Sequence, residues 1–212
     1  MSIRRFMGHK KKDVCEIITS SKTWVVPAGV TKVDLFLVGG GSNGGRGTCC
    51  NGGGYGGRGG EVKTYTNIPV TPGASIPIHI CMENKENKTY FQSSSSYYAQ
   101  GYYNNYFHSG NGNNGVGCTF PGLPLYYSYR MGAGGGAGSG NTQSGRYYGG
   151  IKGGGNGAIG LGRVCPGDSP LGDDASYYGG GGGGSGESCG SGNESTRGGY
   201  GYQGIAIIHY IK

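Results

Sequence analysis

Tyrosine is the side chain in this sequence best suited to binding a partner without covalent chemistry. The 212 residues include 18 tyrosines, many of them in pairs among Asn, Ser and Gly. A tyrosine ring offers a large amphipathic contact area with few rotatable bonds, while Ser, Gly and Asn supply adaptable hydrogen bonds. We therefore predict that the aromatic residues of these segments bind a partner. The candidate binding residues are Tyr97, Tyr98, Tyr102, Tyr103, Tyr106, Phe107, Tyr126, Tyr127, Tyr129, Tyr147, Tyr148, Tyr177 and Tyr178.

Some of these tyrosines directly adjoin glycine runs, which allows a second interpretation. The pairs Tyr147–Tyr148 and Tyr177–Tyr178 each stand beside glycines. Rings in such places can act as spacers or lids on a glycine scaffold, so both interpretations stay open for these two pairs. For the segment from Tyr97 to His108, where aromatic residues mix with Asn, Ser and Gly, we favour binding.

Residues that could support catalysis or metal binding are scattered. Asp168, Asp173 and Asp174 could offer oxygen ligands to Ca²⁺, but their spacing matches no calcium loop, and a solvated acidic loop is favoured. No G-x-S-x-G segment follows a strand and opens a helix, as a nucleophile elbow requires. The histidines are isolated from one another, and those at 79 and 209 are predicted to be sheet residues. The sequence therefore predicts a protein that is not an enzyme and holds no cofactor or metal.

Cysteine usage and charge complete the list of reactive groups. The seven cysteines include no C-x-x-C pair, so a zinc site is a poor interpretation, and we expect mostly free thiols in small interior spaces. The net charge is +7, and residues 1–15 are predicted to form a basic arm. The arm is either disordered or a docking segment, or it is attracted to nucleic acid or to an anionic surface. Arg46-Gly47 and Arg58-Gly59 resemble RNA-binding RGG segments, but two such sites make nucleic acid an unlikely partner.

Glycine must provide the scaffold that positions these residues, because it makes up 52 of the 212 positions. The glycine blocks begin next to strongly apolar segments: Lys32–Val38 runs straight into Gly39. A flexible linker has no such anchors, and adjacent glycines exclude collagen. We predict polyglycine II helices, extended and with three residues per turn, that pack side by side because no Cβ separates their backbones.

Short strands are predicted on both sides of the glycine blocks. The closing segment Ile205–Ile211 is apolar throughout, must be buried, and is expected to pair with the early strands. In Val30–Val38, alternate residues point to opposite faces, both partly buried. Within the apolar alternation of Ile76–Ile80, Pro77 indicates an edge strand or an irregular one. Other strands are predicted within Glu16–Val26 and at Glu61–Thr66.

The predicted fold class is all-β and irregular, with a small β-sandwich base, a polyglycine II bundle and almost no α-helix. Residues 16–212 form one glycine-rich domain after the arm. Within it, residues 83–131 are a Tyr/Asn/Ser-rich excursion out of the core with no useful strand period. No apolar run approaches the roughly 20 residues of a membrane span, so membrane insertion is not expected.

Three segments carry a resemblance to a known family. Thr23–Gly41 (TWVVPAGVTKVDLFLVGGG), Val70–Ile80 (VTPGASIPIHI) and Gly204–Tyr210 (GIAIIHY) occur in the order seen in glycine-rich domains of bacteriophage tail-fibre and related receptor-binding proteins. The chain resembles that family over roughly residues 17–211. The junction between strand and glycine run is the most specific part of the match.

The resemblance implies a function as well as a fold. In adhesins of this kind, a polyglycine II sandwich presents loops that touch a receptor on the host cell. It therefore implies a virion protein of the tail fibre or tail tip, synthesised in the host cytoplasm. Its partners would be a host cell-surface protein or glycan and other virion proteins, and a homo-oligomer is compatible with this function. The alternatives are a structural glycine-rich module without a receptor, including an ice-binding type, and an RGG-like RNA-binding protein.

Overall fold

A computed structural model describes residues 11–47, 53–85, 87–103, 106–107, 112–128, 130–133, 149–150, 154, 171–186 and 197–212 of the chain. In these residues the regular structure is almost entirely antiparallel strand, with one 3₁₀ turn at Leu125–Ser128. The strands are β1 (Asp13–Ile18), β2 (Lys22–Val25), β3 (Lys32–Val38), β4 (Gly56–Gly57), β5 (Val62–Pro69), β6 (Ser75–His79), β7 (Lys88–Phe91), β8 (Tyr97–Gln100), β9 (Tyr106–Phe107), β10 (Val116–Gly117), β11 (Arg130–Met131) and β12 (Ile205–Ile211).

Two four-stranded antiparallel sheets form the base of the fold. The first sheet has the strand order β1-β12-β3-β5, and the second has the order β2-β6-β7-β8. The closing strand β12 lies between β1 and β3, with Ile207 opposite Ile17 on one side and Phe36 on the other. The predicted all-β class and the predicted pairing of the last strand with early ones are confirmed.

The main hydrophobic core fills the space between the two sheets. Leu35 and Leu37 of the first sheet are fully buried there with Ile208, and they face Trp24 and Phe91 of the second sheet. The rings of Trp24 and Phe91 lie 5.9 Å apart in a tilted arrangement. Burying each such side chain stabilises the fold by about 1.5–3 kcal/mol, so these residues dominate the stability of the base.

The outer face of the first sheet is buried as well. Phe36 and Val38 of β3 point there with Ile205 and Ile207 of β12, and residues from the later part of the chain cover them. The covering residues include Cys118, Met131 and Tyr177. Because both faces are covered, β3 and β12 carry apolar side chains at consecutive positions, as the sequence predicted for both.

A buried histidine links three neighbouring strands of the first sheet. The His209 ring in β12 lies with Nδ1 3.1 Å from the Asp34 carboxylate of β3 and Nε2 3.0 Å from the Asp13 carboxylate of β1. Phe120 stacks against the ring at 5.3 Å. The prediction that His79 and His209 are strand residues is confirmed, since His79 belongs to β6.

Two strand predictions were wrong. Residues 83–131 were expected to leave the core without regular strands, yet β7 and β8 in this range complete the second sheet and bury Phe91 and Ala99 between the sheets. Pro77 was expected to mark an edge or irregular strand, but β6 has β2 on one side and β7 on the other. Its pairing with β7 begins at Ile78, just after the proline, so the missing N–H interrupts no bond of that ladder.

The glycine bundle, defined as residues 39–47, 53–61, 171–175, 179–186 and 197–204, grows directly out of the first sheet. Strands β12, β3 and β5 are neighbours in that sheet, and each continues into one segment of the bundle. The three resulting segments form one layer, in which 39–47 lies between the other two. The segments 179–186 and 171–175 form a second layer against it.

Hydrogen bonds between these segments repeat at every third residue. Between 39–47 and 53–61, the N–H to carbonyl pairs are Gly39 to Glu61 (2.9 Å), Ser42 to Arg58 (2.9 Å) and Gly45 to Tyr55 (2.7 Å). Between 53–61 and 179–186, they are Gly60 to Gly179 (2.7 Å), Gly57 to Gly182 (2.7 Å) and Gly54 to Ser185 (2.6 Å). A period of three belongs to the polyglycine II helix and differs from the period of two of a strand, which agrees with the predicted bundle.

The segment 179–186 is the centre of the bundle and is buried along its whole length. Three successive N–H groups donate to three different neighbours: Gly181 to Ala133 (2.8 Å), Gly182 to Ser42 (3.0 Å) and Gly183 to Asp173 (2.9 Å). A Cβ on Gly182 would overlap the carbonyl group of Gly199, and a Cβ on Gly181 would overlap that of Gly57. The interior of the bundle is therefore mostly main chain, with the small buried side chains of Ser42 and Ser185 accepting backbone N–H groups. At Gly181 and Gly182, a side chain cannot enter without moving a neighbouring backbone.

We predict that Gly182→Ala lowers the free energy of unfolding by at least about 3 kcal/mol, because the added methyl group forces two hydrogen-bonded backbones apart. The matched control is Gly117→Ala, where the nearest atom to the new Cβ is the Ser128 carbonyl oxygen at 3.0 Å. That change should cost about 1 kcal/mol or less. Urea unfolding of the three proteins measures both values, and equal losses would contradict the close packing described for the bundle.

Candidate functional site

Five tyrosines meet where the glycine bundle joins the first sheet. We call this group the tyrosine cluster; its members are Tyr126, Tyr127, Tyr177, Tyr178 and Tyr202. Their ring centroids lie 5.0 Å apart for 126 and 127, 5.2 Å for 126 and 177, 5.2 Å for 177 and 178, 6.4 Å for 127 and 178, and 5.4 Å for 178 and 202. Most of these contacts are edge-to-face, an arrangement that aromatic pairs favour.

Two parts of the chain position the cluster. The 3₁₀ turn at Leu125–Ser128 carries two of its rings, and the Tyr127 N–H donates to the Pro124 carbonyl at 2.9 Å. Tyr177 and Tyr178 stand directly before the central segment of the bundle, and the Tyr178 carbonyl accepts the N–H of Gly132 at 2.9 Å. The Tyr177 hydroxyl donates to the Tyr126 carbonyl and so joins the two parts.

The cluster has a buried side and an exposed side. Tyr177 is 7% exposed and packs on the outer face of the first sheet, whereas Tyr126 is 56% exposed and Tyr202 37%. Leu125, next to Tyr126, is 83% exposed. The inner rings thus anchor the outer ones, and the outer rings present aromatic surface to solvent at fixed positions.

A groove beside the cluster shares Tyr202 with it. This junction groove has a volume of about 480 Å³ and runs along the outer edge of the bundle segment 197–204. Its lining comes from three parts of the chain: the turn after β6, the bundle segment 171–175 and the bundle segment 197–204. The lining residues are Met82, Glu83, Asp174, Ala175, Tyr200, Gly201, Tyr202 and Gln203.

Main-chain hydrogen bonds hold the three walls of the junction groove together. The Gly204 N–H donates to the Cys81 carbonyl at 2.8 Å, and the Ala175 N–H donates to the Tyr200 carbonyl at 2.8 Å. The Tyr200 N–H donates to the Asp174 carboxylate at 2.7 Å. Because backbone atoms and one short side chain make these bonds, the groove exists without a ligand to shape it.

Arg197 covers one face of Tyr200. Its guanidinium carbon lies 3.8 Å from the centre of the Tyr200 ring, and its Nη1 lies 3.8 Å from the Asp174 carboxylate. The arginine therefore balances one carboxylate of the groove and fixes the ring beside it through a cation–π contact. Tyr200 is nevertheless 50% exposed, so part of this residue remains accessible to solvent beside the arginine.

The remaining predicted tyrosines lie elsewhere. Tyr97 points inward and packs between the sheets, edge-to-face with Tyr65 at 5.4 Å. Tyr98 lies on the outer side of the second sheet, where the Lys88 ammonium group sits 3.8 Å from its ring centre. The Arg58 guanidinium carbon lies 4.0 Å above the Tyr102 ring, so this arginine of the RGG-like pair stacks on an aromatic residue of its own chain.

The other candidate residues lie outside the tyrosine cluster or outside the described residues. Tyr103 is 53% exposed and lies apart from the tyrosine cluster in the chain. Tyr106 and Phe107 form β9, whose backbone pairs with β4 in the bundle. Tyr129, Tyr147, Tyr148 and Asp168 lie outside the described residues, as do Cys49, Cys50, Cys165 and Cys189. The structure thus brings together four of the predicted tyrosines, at 126, 127, 177 and 178.

Sequence reasoning missed Tyr200, Tyr202 and Met82. The alternation Gly199-Tyr200-Gly201-Tyr202 was the available signal, since a ring tolerated inside a glycine run must point away from the bundle interior. Met82 could not be found in this way, because it lines the same groove as Tyr202 although the two residues are 120 positions apart in the chain. The structure also assigns part of the groove to Asp174, which the sequence placed in a solvated acidic loop.

The reactive groups of the described residues are buried or dispersed. The Cys81 and Cys118 thiols are free and buried, and burial raises the pKa of Cys118 to about 11, so this thiol stays protonated at neutral pH. In the part of the chain that is described, no group of three or more His, Cys, Asp and Glu side chains is arranged to hold a metal ion. Within that same part, no helix has the length and apolar character needed to cross a membrane.

Comparison with known proteins gives one family match. A family model described as a glycine-rich domain matches residues 18–82, which cover strands β2 to β6 and the first two segments of the glycine bundle. No curated protein matches the chain. Residues 18–82 are therefore similar to a glycine-rich domain, in agreement with the scaffold described above.

Tyr178 allows a test of the tyrosine cluster by pH. Burial, followed by the neighbouring hydroxyls of Tyr127, Tyr202 and Tyr126, raises the pKa of Tyr178 from its ordinary value near 10 to about 12. The folded protein therefore keeps a proton that the unfolded chain loses near pH 10. The stability from this group is fully present below pH 10 and is lost as pH rises towards 12.

We predict that Tyr178→Phe reduces the alkaline loss of stability between pH 10 and 12 by about 1 kcal/mol or less, because phenylalanine has no proton to lose and solvent screens a ring that is only partly buried. Urea unfolding of the wild type and the variant at several pH values measures the difference. Tyr55→Phe, a change at a tyrosine that is 55% exposed, is the control and should follow the wild type. Identical profiles for all three proteins would show that Tyr178 is not shielded in this way.

Proposed function

We propose that this protein is a bacteriophage virion component, a tail-fibre or tail-tip adhesin that recognises a host cell-surface protein or glycan. It acts by non-covalent binding and carries out no reaction. The observation that carries the proposal is the exposed side of the tyrosine cluster, which the inner rings anchor, and the adjoining junction groove, whose walls main-chain hydrogen bonds hold together. The similarity of residues 18–82 to a glycine-rich domain supports the same class of scaffold.

The energetics of binding favour such an arrangement. A surface that is already ordered loses little conformational entropy when a partner binds, so more of the contact energy appears as affinity. Each exposed ring is fixed by one neighbour. Tyr177 contacts the ring of Tyr126, and Tyr178 contacts the ring of Tyr202. The Arg197 guanidinium group lies on the ring of Tyr200. The exposed tyrosines are large amphipathic side chains with few torsions left to freeze, which is the property that antibody binding surfaces exploit.

The described surface favours this proposal over the two alternatives. An ice-binding module requires a flat face of short, regularly spaced side chains. The rings of the tyrosine cluster instead make edge-to-face contacts and do not form a flat face. An RNA-binding protein would direct its arginines to phosphate and bases. Here the Arg58 and Arg197 guanidinium groups each lie on a tyrosine of the same chain instead.

Adsorption to bacterial cells tests the proposal directly. We predict that the labelled full-length protein binds cells of a susceptible strain, and that the double variant Tyr126→Ser/Tyr202→Ser binds them at least about tenfold more weakly, a loss of about 1.4 kcal/mol or more. Tyr55→Ser, which removes an equally exposed ring outside the cluster and groove, should bind like the wild type. Circular dichroism verifies that the variants remain folded.

Treatment of the cells identifies the receptor class. Protease treatment removes a protein receptor, and periodate oxidation removes a glycan. If no strain of a broad bacterial panel binds the protein, the adhesin proposal is wrong and a purely structural module remains. Binding to RNA that falls steeply with salt would point instead to nucleic acid.

A further inference from the structure

Three polar side chains of the junction groove offer hydrogen-bond acceptors to a ligand, and the Tyr200 and Tyr202 hydroxyls can either accept or donate. Gln203 donates its Nε2 group to the Thr19 carbonyl at 3.0 Å, which orients the amide and leaves Oε1 on its other side. Asp174 uses Oδ1 for the Tyr200 N–H and retains a second carboxylate oxygen. Glu83 adds a carboxylate that makes no hydrogen bond within the described part of the chain. A ligand that satisfies the oxygens of Gln203, Asp174 and Glu83 must therefore supply hydrogen-bond donors.

The same groove also offers apolar surface. Tyr200, Tyr202 and Met82 are 50%, 37% and 51% exposed, and all three line it. Aromatic rings and a thioether gain most from a ligand with C–H groups to cover them. The groove thus calls for a molecule that combines many donors with an apolar face. Two common groups qualify: a sugar ring, or the side chain of a lysine or arginine.

The charge of the groove decides between these two groups. A cation that stacks on the open face of Tyr200 would lie close to the Arg197 guanidinium on the opposite face, and the two like charges would repel each other. Arg197 also balances the charge of Asp174, at 3.8 Å. An anionic ligand is disfavoured as well, because Glu83 and Asp174 line the groove and no basic residue does. A neutral ligand avoids both penalties.

We infer that the junction groove binds a neutral glycan. The C–H face of a pyranose ring packs on Tyr200 and Tyr202, and its hydroxyl groups donate to Glu83, Asp174 and the Oε1 of Gln203. The volume of about 480 Å³ lies within the range typical of ligand pockets and accommodates about two sugar rings. This inference rests on the proposed function and specifies one class of its receptor.

An array of neutral and acidic oligosaccharides, probed with the full-length protein, tests this inference. We expect binding to at least one neutral member, with affinity that changes less than about twofold between low and high salt, because no net ligand charge is involved. Titration of that oligosaccharide by calorimetry then compares variants. Tyr200→Ala removes the stacking ring and Glu83→Gln replaces one acceptor oxygen with a donor group, so each should weaken binding at least about fivefold.

Tyr55→Ala is the matched control and should bind like the wild type, since this exposed tyrosine lies outside the groove. The inference is overturned if no neutral oligosaccharide binds, if a trilysine peptide or acidic oligosaccharides bind in preference, or if Tyr200→Ala leaves the affinity unchanged in a folded protein. These outcomes test the glycan site separately from the proposed adhesin function. Cells that bind the protein while the array shows nothing would retain the adhesin and refute the glycan site; the reverse pattern would retain the site alone.

Discussion

Close main-chain hydrogen bonding between polyglycine segments is the constraint on which the rest of this structure depends. Each segment donates at every third residue to a given neighbour, and the central segment 179–186 serves several neighbours at once. The backbones can approach this closely only because no Cβ lies between them. A Cβ added to Gly182, for example, would overlap the carbonyl group of Gly199. Backbone polar groups that would otherwise cost free energy in a buried place thereby satisfy one another. The β-sandwich anchors this lattice, since three adjacent strands of the first sheet continue into it.

The sequence was most informative where backbone geometry and side-chain burial impose the same pattern. The passage from Lys32–Val38 into Gly39 predicted a strand that continues into the glycine scaffold. The segment Ile205–Ile211, apolar apart from His209, predicted a buried strand. Sequence failed at β7 and β8, because Tyr, Thr and Ser are compatible with both loops and strands. There the deciding factor was long-range pairing, with Tyr90 placed between His79 and Tyr98 in the second sheet.

For the candidate site, the sequence predicted the type of residue better than it predicted which residues lie together. Tyrosine was predicted as the binding side chain, and four of the tyrosines named from sequence do meet in one cluster. Their separation from Tyr97, which packs into the core, could not be read from sequence, because local composition does not show which side of a strand a ring faces. The junction groove could not be predicted from the sequence, because its walls come from segments near residues 82, 174 and 201 that only the folded bundle brings together.

The three-residue repeat of the glycine bundle has a consequence for how such a protein can change over time. Removing one residue within a segment rotates everything after it by a third of a turn, so every later donor faces the wrong neighbour. Insertions and deletions inside the bundle are therefore tolerated only in steps of three residues. The connections between segments have no three-residue repeat, so their length is not restricted in this way. Variation in length and composition is thus directed to the connections and to edge positions such as Tyr200. New binding preferences can arise there while the hydrogen-bonded lattice stays in register.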